Sequence, residues 1–453
     1  MRWMVRWSRF PVVGALALAC LATGPGAPAV AADHSDDDPL RHLEWRHVGP
    51  ANMSGRVADV EGVPGDPRVV YVGSASGGVW KTVNGGTTFT PIFDDQPVAS
   101  VGDVALAPSN REVIYVGTGE GNPRNSVSFG NGVYKSTDGG ATWTHLGLEE
   151  TRYITRIVVD PHDPDKVCVG ALGNIFGPSE ERGVFCSWDG GAAWEKTLYL
   201  DDRHGVSDMD IDPRNPNVLY AGMWHFERKP WTHRSGSEEG GVFRSVDGGR
   251  TWKRLDEGLP KLPGRTGVKV APSDPRTVYV IAESNDGVLF RSDDRGDEFR
   301  KVSDDVQIVS RGLYYTDMRV SPVDPDEIYA VASRLFRSRD GGRSFERISR
   351  STHIDFHSLW IDPENPHRMW QGQDGGVAVS YDGGESWAPV RNLQREQSYQ
   401  ALAAAQRVVD GVHGRAAHVR APAEVALAPG LAELDVLVVG VAHAADRRAA
   451  EHV

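Results

Sequence analysis

The chain has 453 residues, among them 51 Gly, 28 Pro, 13 Trp, 12 Tyr and 13 Phe. So many Gly and Pro exclude a helical bundle and point to many short strands joined by turns, while the aromatic content is that of a packed chain. A net charge of −13 repels phosphate backbones and anionic lipid, which excludes nucleic acid as a partner.

Residues 1–32 read as a signal peptide. Arg2, Arg6 and Arg9 precede an apolar run over 10–22 that is too short to span a bilayer. Ala29-Val30-Ala31 then supplies small residues for cleavage. Ala17 is a poor residue three before Cys20, which argues against a lipoprotein anchor there. No later stretch is apolar enough for a membrane span. Residues 33–42 read as a linker, and the expected compartment is secreted or periplasmic.

The next feature is internal repetition. The pattern Ser/Thr-x-Asp/Asn-x-Gly-x-x-Trp/Phe occurs seven times, starting at Thr82, Ser136, Ser187, Ser245, Ser292, Ser338 and Ser380. These starts lie 42 to 58 residues apart, the period of propeller blades. Upstream of each copy an alternating strand closes in a Pro turn, as in Ile157-Val158-Val159-Asp160-Pro161, and a second strand follows, as in Val113-Ile114-Tyr115-Val116. A third strand, such as Gly132-Val133-Tyr134-Lys135, runs into the motif, and a fourth leaves from its aromatic residue. Four short antiparallel strands per repeat make a propeller blade. The motif is then the hairpin between the third and fourth strands, with side-chain oxygens holding turn backbone and Gly taking positive φ. Its acids recur in every copy, so they read as structural.

The motif resembles the Asp box, or BNR repeat, over residues 44 to about 387. Sialidases, xyloglucanase-type glycoside hydrolases, sortilin-type sorting receptors and photosystem assembly factors share it. The chain is similar to the bacterial secreted proteins called glycosyl hydrolase BNR-repeat or sortilin N-terminal-like proteins. That likeness is carried by Gly49-Pro50, Ser54-Gly55-Arg56, Ala75-Ser76-Gly77-Gly78-Val79-Trp80, Gly117-Thr118-Gly119-Glu120-Gly121-Asn122-Pro123-Arg124-Asn125-Ser126 and Asp374-Gly375-Gly376-Val377. The resemblance implies an all-β Asp-box β-propeller over 43–393 with seven recognisable four-stranded blades. Members of the group generally run on into further blades, so an interrupted larger ring is the alternative. Leu43-Glu44-Trp45-Arg46-His47-Val48-Gly49 resembles an outermost strand that would complete a final blade.

Residues 394–453 fit no blade. After Tyr399 there is no aromatic residue and no Lys, and Ala dominates. This tail reads as a frame-shifted stretch, or else as a disordered or helical Ala-rich appendix.

Cys168 and Cys186 remain after leader cleavage, in adjacent strands of one repeat. Sibling repeats carry Tyr71 and Tyr115 in place of the first, and Lys81 and Lys135 in place of the second. Two departures at facing positions suggest a cross-strand disulfide; two unpaired thiols are the alternative.

Strand direction places the loops between second and third strands opposite the repeated turns. Three of them are long and irregular, over 118–131, 172–183 and 223–240, and such loops on a rigid ring carry binding. Arg56, Arg152 and Arg265 precede inner strands and suit a carboxylate grip, but no Phe/Tyr-Arg-Ile-Pro motif accompanies them. In the xyloglucanase-type pattern a catalytic Asp falls where this chain has Ala75. Glu120 and Asp374 remain as catalytic candidates, Glu120 beside Arg124 and Asn125, since an acid and a base on opposite sides of the bond suit glycoside hydrolysis. Local pairing of each is the alternative. His353, Asp355 and His357 alternate, so on a strand they share one face, yet the two His lie far apart for one metal. No metal and no cofactor are expected. Trp224, Arg228 and Trp231, read as loop residues, suit stacking on sugar or clasping a peptide. The leading expectation is a sortilin-like propeller binding a protein or glycan; the rival is a glycoside hydrolase acting on extracellular polysaccharide.

Overall fold

The computed structural model describes residues 55–124 and 127–393. They form seven antiparallel sheets in chain order, each pairing its first strand with its second, its second with its third and its third with its fourth. The inner strands are Val57–Gly62, Val101–Ala107, Ile154–Val159, His204–Ile211, Thr266–Val270, Asp317–Val320 and Phe356–Ile361. Every blade is sandwiched between two others, so its first three strands bury both faces and read as near-continuous apolar runs such as Val167–Ala171. Outermost strands have solvent on one side and are short and polar, as in Thr144–His145 and Glu346–Arg347.

The ring closes on itself. Val57, Val60, Val70 and Val72 of blade one pack with Trp360, Trp370, Val377 and Val379 of blade seven and with Leu393. The approach is close enough that a Cβ on Gly62 would lie 2.6 Å from the Trp360 ring. This corrects the alternative of an interrupted larger ring, because blade seven packs directly on blade one and leaves no gap for further blades. Blade seven also supplies its own outer strand, Ala388–Val390. The segment over 43–49, the leader and the tail lie outside the described residues.

All seven repeated turns have one geometry. The first hydroxyl accepts the N–H of the motif glycine at 2.8–2.9 Å. The Asp or Asn oxygen accepts the backbone N–H four residues on at 2.8–3.1 Å. Gly140 shows why glycine is required: its φ is 92°, and a Cβ there would lie 2.5 Å from Ile92. The aromatic residue reaches beyond its own blade. Trp143 donates to Ile92 O at 2.6 Å and Trp194 to Leu146 O at 2.8 Å, so each fixes its turn to the preceding blade.

Two departures from the repeat stand out. Cys168 and Cys186 face each other on adjacent strands of blade three, and their sulfurs are bonded. In blade four the second strand runs from Leu219 to Lys229 and folds back through Thr232–Ser235. The region over 223–240, expected as an irregular loop, is therefore largely a β-hairpin rising from the ring.

Candidate functional site on the loop-rich face

Inner strands converge on a polar channel. Near their starts, blades one, two, three, four and seven each carry one extra residue against the neighbouring strand. Such bulges re-aim side chains at rims, and in blade seven the extra residue is His357. One step further along, the recurring acids tie blade to blade: Asp59 accepts Val104 N–H at 3.1 Å, Asp103 accepts Ile157 N–H at 2.6 Å and Asp208 accepts Val268 N–H at 3.0 Å. Arg156 sits among them, 3.1 Å from Asp103, 3.0 Å from Asp208 and 3.2 Å from Asp317. These acids hold the ring, as their recurrence suggested.

Above the channel the symmetry breaks. Glu120 follows the second strand of blade two, and its Oε2 accepts from Arg56 Nη2 at 2.6 Å. Arg56 Nη1 donates to the Tyr314 hydroxyl at 3.1 Å, and that hydroxyl donates to Asp374 Oδ1 at 3.4 Å. His357 Nε2 lies 2.7 Å from the same Asp374 oxygen. Asn122 Nδ2 stands 3.2 Å from His357 Nδ1, while its Oδ1 accepts from Arg265 Nη2 at 2.8 Å. An amide N–H facing Nδ1 makes that nitrogen the acceptor, so the Nε2 proton points at Asp374. Half-buried Arg124 hydrogen-bonds Tyr314 from the side. Residues from blades one, two, five, six and seven thus form one connected cluster.

The electrostatics divide the two carboxyls. Burial pushes the Glu120 carboxyl up to about 8, against the pull of Arg56 and Arg124, so it holds its proton at neutral pH. Burial would also raise Asp374, but the His357 hydrogen bond and the nearby Arg56 and Arg124 hold it below the usual carboxylate range. His357 is pushed down by burial and Tyr314 is pushed up to about 12 by its own burial. The cluster therefore offers a neutral acid, an ionised carboxylate and an uncharged imidazole.

Some of the expected residues gather and others do not. Arg56, Glu120, Arg124, His357 and Asp374 come together; Asn125 lies outside the described residues. Arg152 stands apart, 44% exposed and 4.0 Å from Glu150. His353 and Asp355 precede the strand that begins at Phe356, and Asp355 has a φ of 68°. The three residues therefore do not share a strand face, and His353 instead bonds Ile354 O. Among the described residues no His, Cys, Asp and Glu are grouped to hold a metal. Trp224 is not a loop residue: it is fully buried, donates to Ser235 Oγ at 3.0 Å and lies under Arg265 at 5.7 Å. Arg228 is tied through its backbone to Ile175 O at 2.8 Å, and Trp231 is 81% exposed near the hairpin tip. Sequence reasoning missed Tyr314 and Asn122. Ala75 is buried, its carbonyl accepting Ser100 Oγ at 2.8 Å. The same Oγ accepts Glu120 N–H at 3.2 Å, so the Glu120 backbone is joined through Ser100, by two hydrogen bonds, to the position that lacks a carboxylate.

No family model matches the chain. A xyloglucanase of Paenibacillus sp is 27% identical over 233 residues, covering 46% of this chain and 21% of that protein. A xyloglucanase of Acetivibrio thermocellus is 25% identical over 316 residues, covering 56% of this chain and 35% of that protein. The matched stretches thus span about a fifth to a third of these relatives. Among solved structures, the GH74 xyloglucanase from Xanthomonas campestris superposes with a TM-score of 0.55 at 19% identity, over 77% of this chain and 55% of that one. That likeness is one of fold. Among the described residues no helix is long and apolar enough to cross a membrane.

Proposed function

We propose that the chain is a glycoside hydrolase-like propeller that works on an extracellular polysaccharide, with Glu120 as general acid and Asp374 as base or nucleophile. One observation carries this reading: two carboxyls of opposite protonation stand on one face, linked through Arg56 and Tyr314. Cleaving a glycosidic bond needs a proton for the leaving oxygen and an ionised carboxylate at the anomeric side. Glu120 Oε2 is covered by Arg56, and Oε1 is buried without a partner among the described residues. A sugar hydroxyl that takes Arg56 Nη2 would free the acid for the bond. The xyloglucanase relatives support a carbohydrate ligand and favour this reading over a sortilin-like one. Binding without turnover is the second reading, supported by the complete burial of the Glu120 side chain.

Reducing-sugar release from xyloglucan and other soluble β-glucans tests the proposal. The expected result is release by the wild type and a fall of about a hundredfold or more in Glu120→Gln and Asp374→Asn. Retardation in a polysaccharide gel should persist in both variants. Retardation of the wild type without sugar release would sink the hydrolase and leave the binding reading.

A further inference from the structure

Blade four carries a second chemistry-bearing cluster that shares no residue with the first. Asp201 Oδ1 is held by the backbone N–H groups of Arg203 at 2.8 Å and His204 at 3.0 Å. The same oxygen lies 2.7 Å from His204 Nδ1. On the far side of the ring, His204 Nε2 lies 2.6 Å from Ser237 Oγ. An ionised carboxylate only accepts, so the Nδ1 hydrogen faces Asp201 and the Nε2 lone pair faces the serine hydroxyl. A nucleophile on a base, and that base on an orienting acid, are the parts of an activated serine. His204 and Ser237 are buried, while Glu238 and Glu239 beside them are exposed. His225 packs on His204 with ring centroids 5.1 Å apart; burial pushes it down to about 4, so it adds no charge beside the base.

The surroundings of Ser237 point to what the serine would act on. Gly240 N–H donates to Ser237 Oγ at 3.1 Å, which fixes the hydroxyl oxygen beside His204. The Glu239 carboxylate takes its own backbone N–H and competes with His204 Nε2 for the single Ser237 hydroxyl proton. A carboxylate held by the nucleophile's hydroxyl and a backbone N–H sits as the acid product of ester hydrolysis would sit. Glu239 thus occupies a carboxylate-shaped place beside the serine, with its own side chain exposed.

We propose that Asp201, His204 and Ser237 form a hydrolytic site for short acyl esters of alcohols, masked by the side chain of Glu239. Ser237 Oγ bonds to the ester carbonyl carbon as its proton passes to His204 Nε2. The carbonyl re-forms, the bond to the alcohol oxygen breaks, and the alcohol leaves with the proton from His204. Water then repeats the two steps on the acyl-serine, releasing the acid and restoring the hydroxyl. Ester and water become acid and alcohol, with no redox partner.

The test uses the full chain and no sugar, so it stands whatever becomes of Glu120 and Asp374. The protein is treated with a fluorophosphonate probe, the labelled peptide is mapped by mass spectrometry, and p-nitrophenyl acetate hydrolysis is followed in parallel. The expected result is label on Ser237, about tenfold faster in Glu239→Ala, whose side chain is exposed and whose removal leaves the fold intact. Both readouts should fall about a hundredfold in His204→Gln. No label on Ser237 in either the wild type or Glu239→Ala would overturn the proposal, as would a label rate unchanged in His204→Gln.

Discussion

The two faces of the ring use the same acids to opposite ends. On the turn face, each motif acid is held by its own hairpin. Asp138 is lowered to about 2 by the Thr142 hydroxyl and amide and by Ser136, and Asp382 is lowered to about 2 by Ser386. These carboxylates are exposed, ionised and locally satisfied. On the loop-rich face Glu120 is held by Arg56 of blade one, and Asp374 by His357 of its own blade and Tyr314 of blade six, and their acidities diverge. A carboxyl satisfied within its own turn is a folding part; one satisfied only after the ring closes can be tuned.

That contrast can be broken in order of expected effect. The largest change is the loss of sugar release, about a hundredfold or more, in Glu120→Gln and Asp374→Asn, against an unchanged rate in Asp138→Asn on the opposite face. Next is Arg156→Met, which leaves buried Asp103 without its cation, while Asp208 keeps Lys269 and Asp317 keeps Arg319. Its cost should be about 3–5 kcal/mol, read as a fall in the urea midpoint. Reducing the Cys168–Cys186 bond, which closes an 18-residue separation, should cost about 2–3 kcal/mol and lower the melting temperature without touching activity. Smallest is Ser136→Ala, which frees the Gly140 N–H of one turn among seven and should cost about 1 kcal/mol, with sugar release unchanged.

Glu120 also leaves a mark on stability. Between its ordinary value of 4.5 and about 8, the folded chain keeps a proton that the unfolded chain has released. Raising the pH through that window therefore favours unfolding. Glu120's contribution is greatest below the window and lost above it. Urea titrations across the window should show wild type losing stability relative to Glu120→Gln as pH rises; parallel curves would contradict the assigned acidity.

The fold was legible because one turn is written seven times and each copy carries the same donors and acceptors. Ring closure was less so: it depends on Gly62 against Trp360, a fit between the first and last blades that no repeat announces. The site was half legible. Glu120, Asp374, Arg56, Arg124 and His357 each break the repeat, but their gathering joins residues as far apart as Arg56 and Tyr314, separated by 258 positions. Tyr314 and Asn122 left no local signal beyond being polar residues ahead of a strand or in a loop. The blade-four region misled because its composition is irregular, yet Trp224 and Phe226 alternate with His225 as one buried face of a strand would.

The most direct test of the central claim is the pH dependence of sugar release. If Glu120 delivers the proton, release should hold through neutral pH and fall on an alkaline limb near 8, where the carboxyl gives up its proton. Release that continues undiminished well above that limb would show that Glu120 is not the acid.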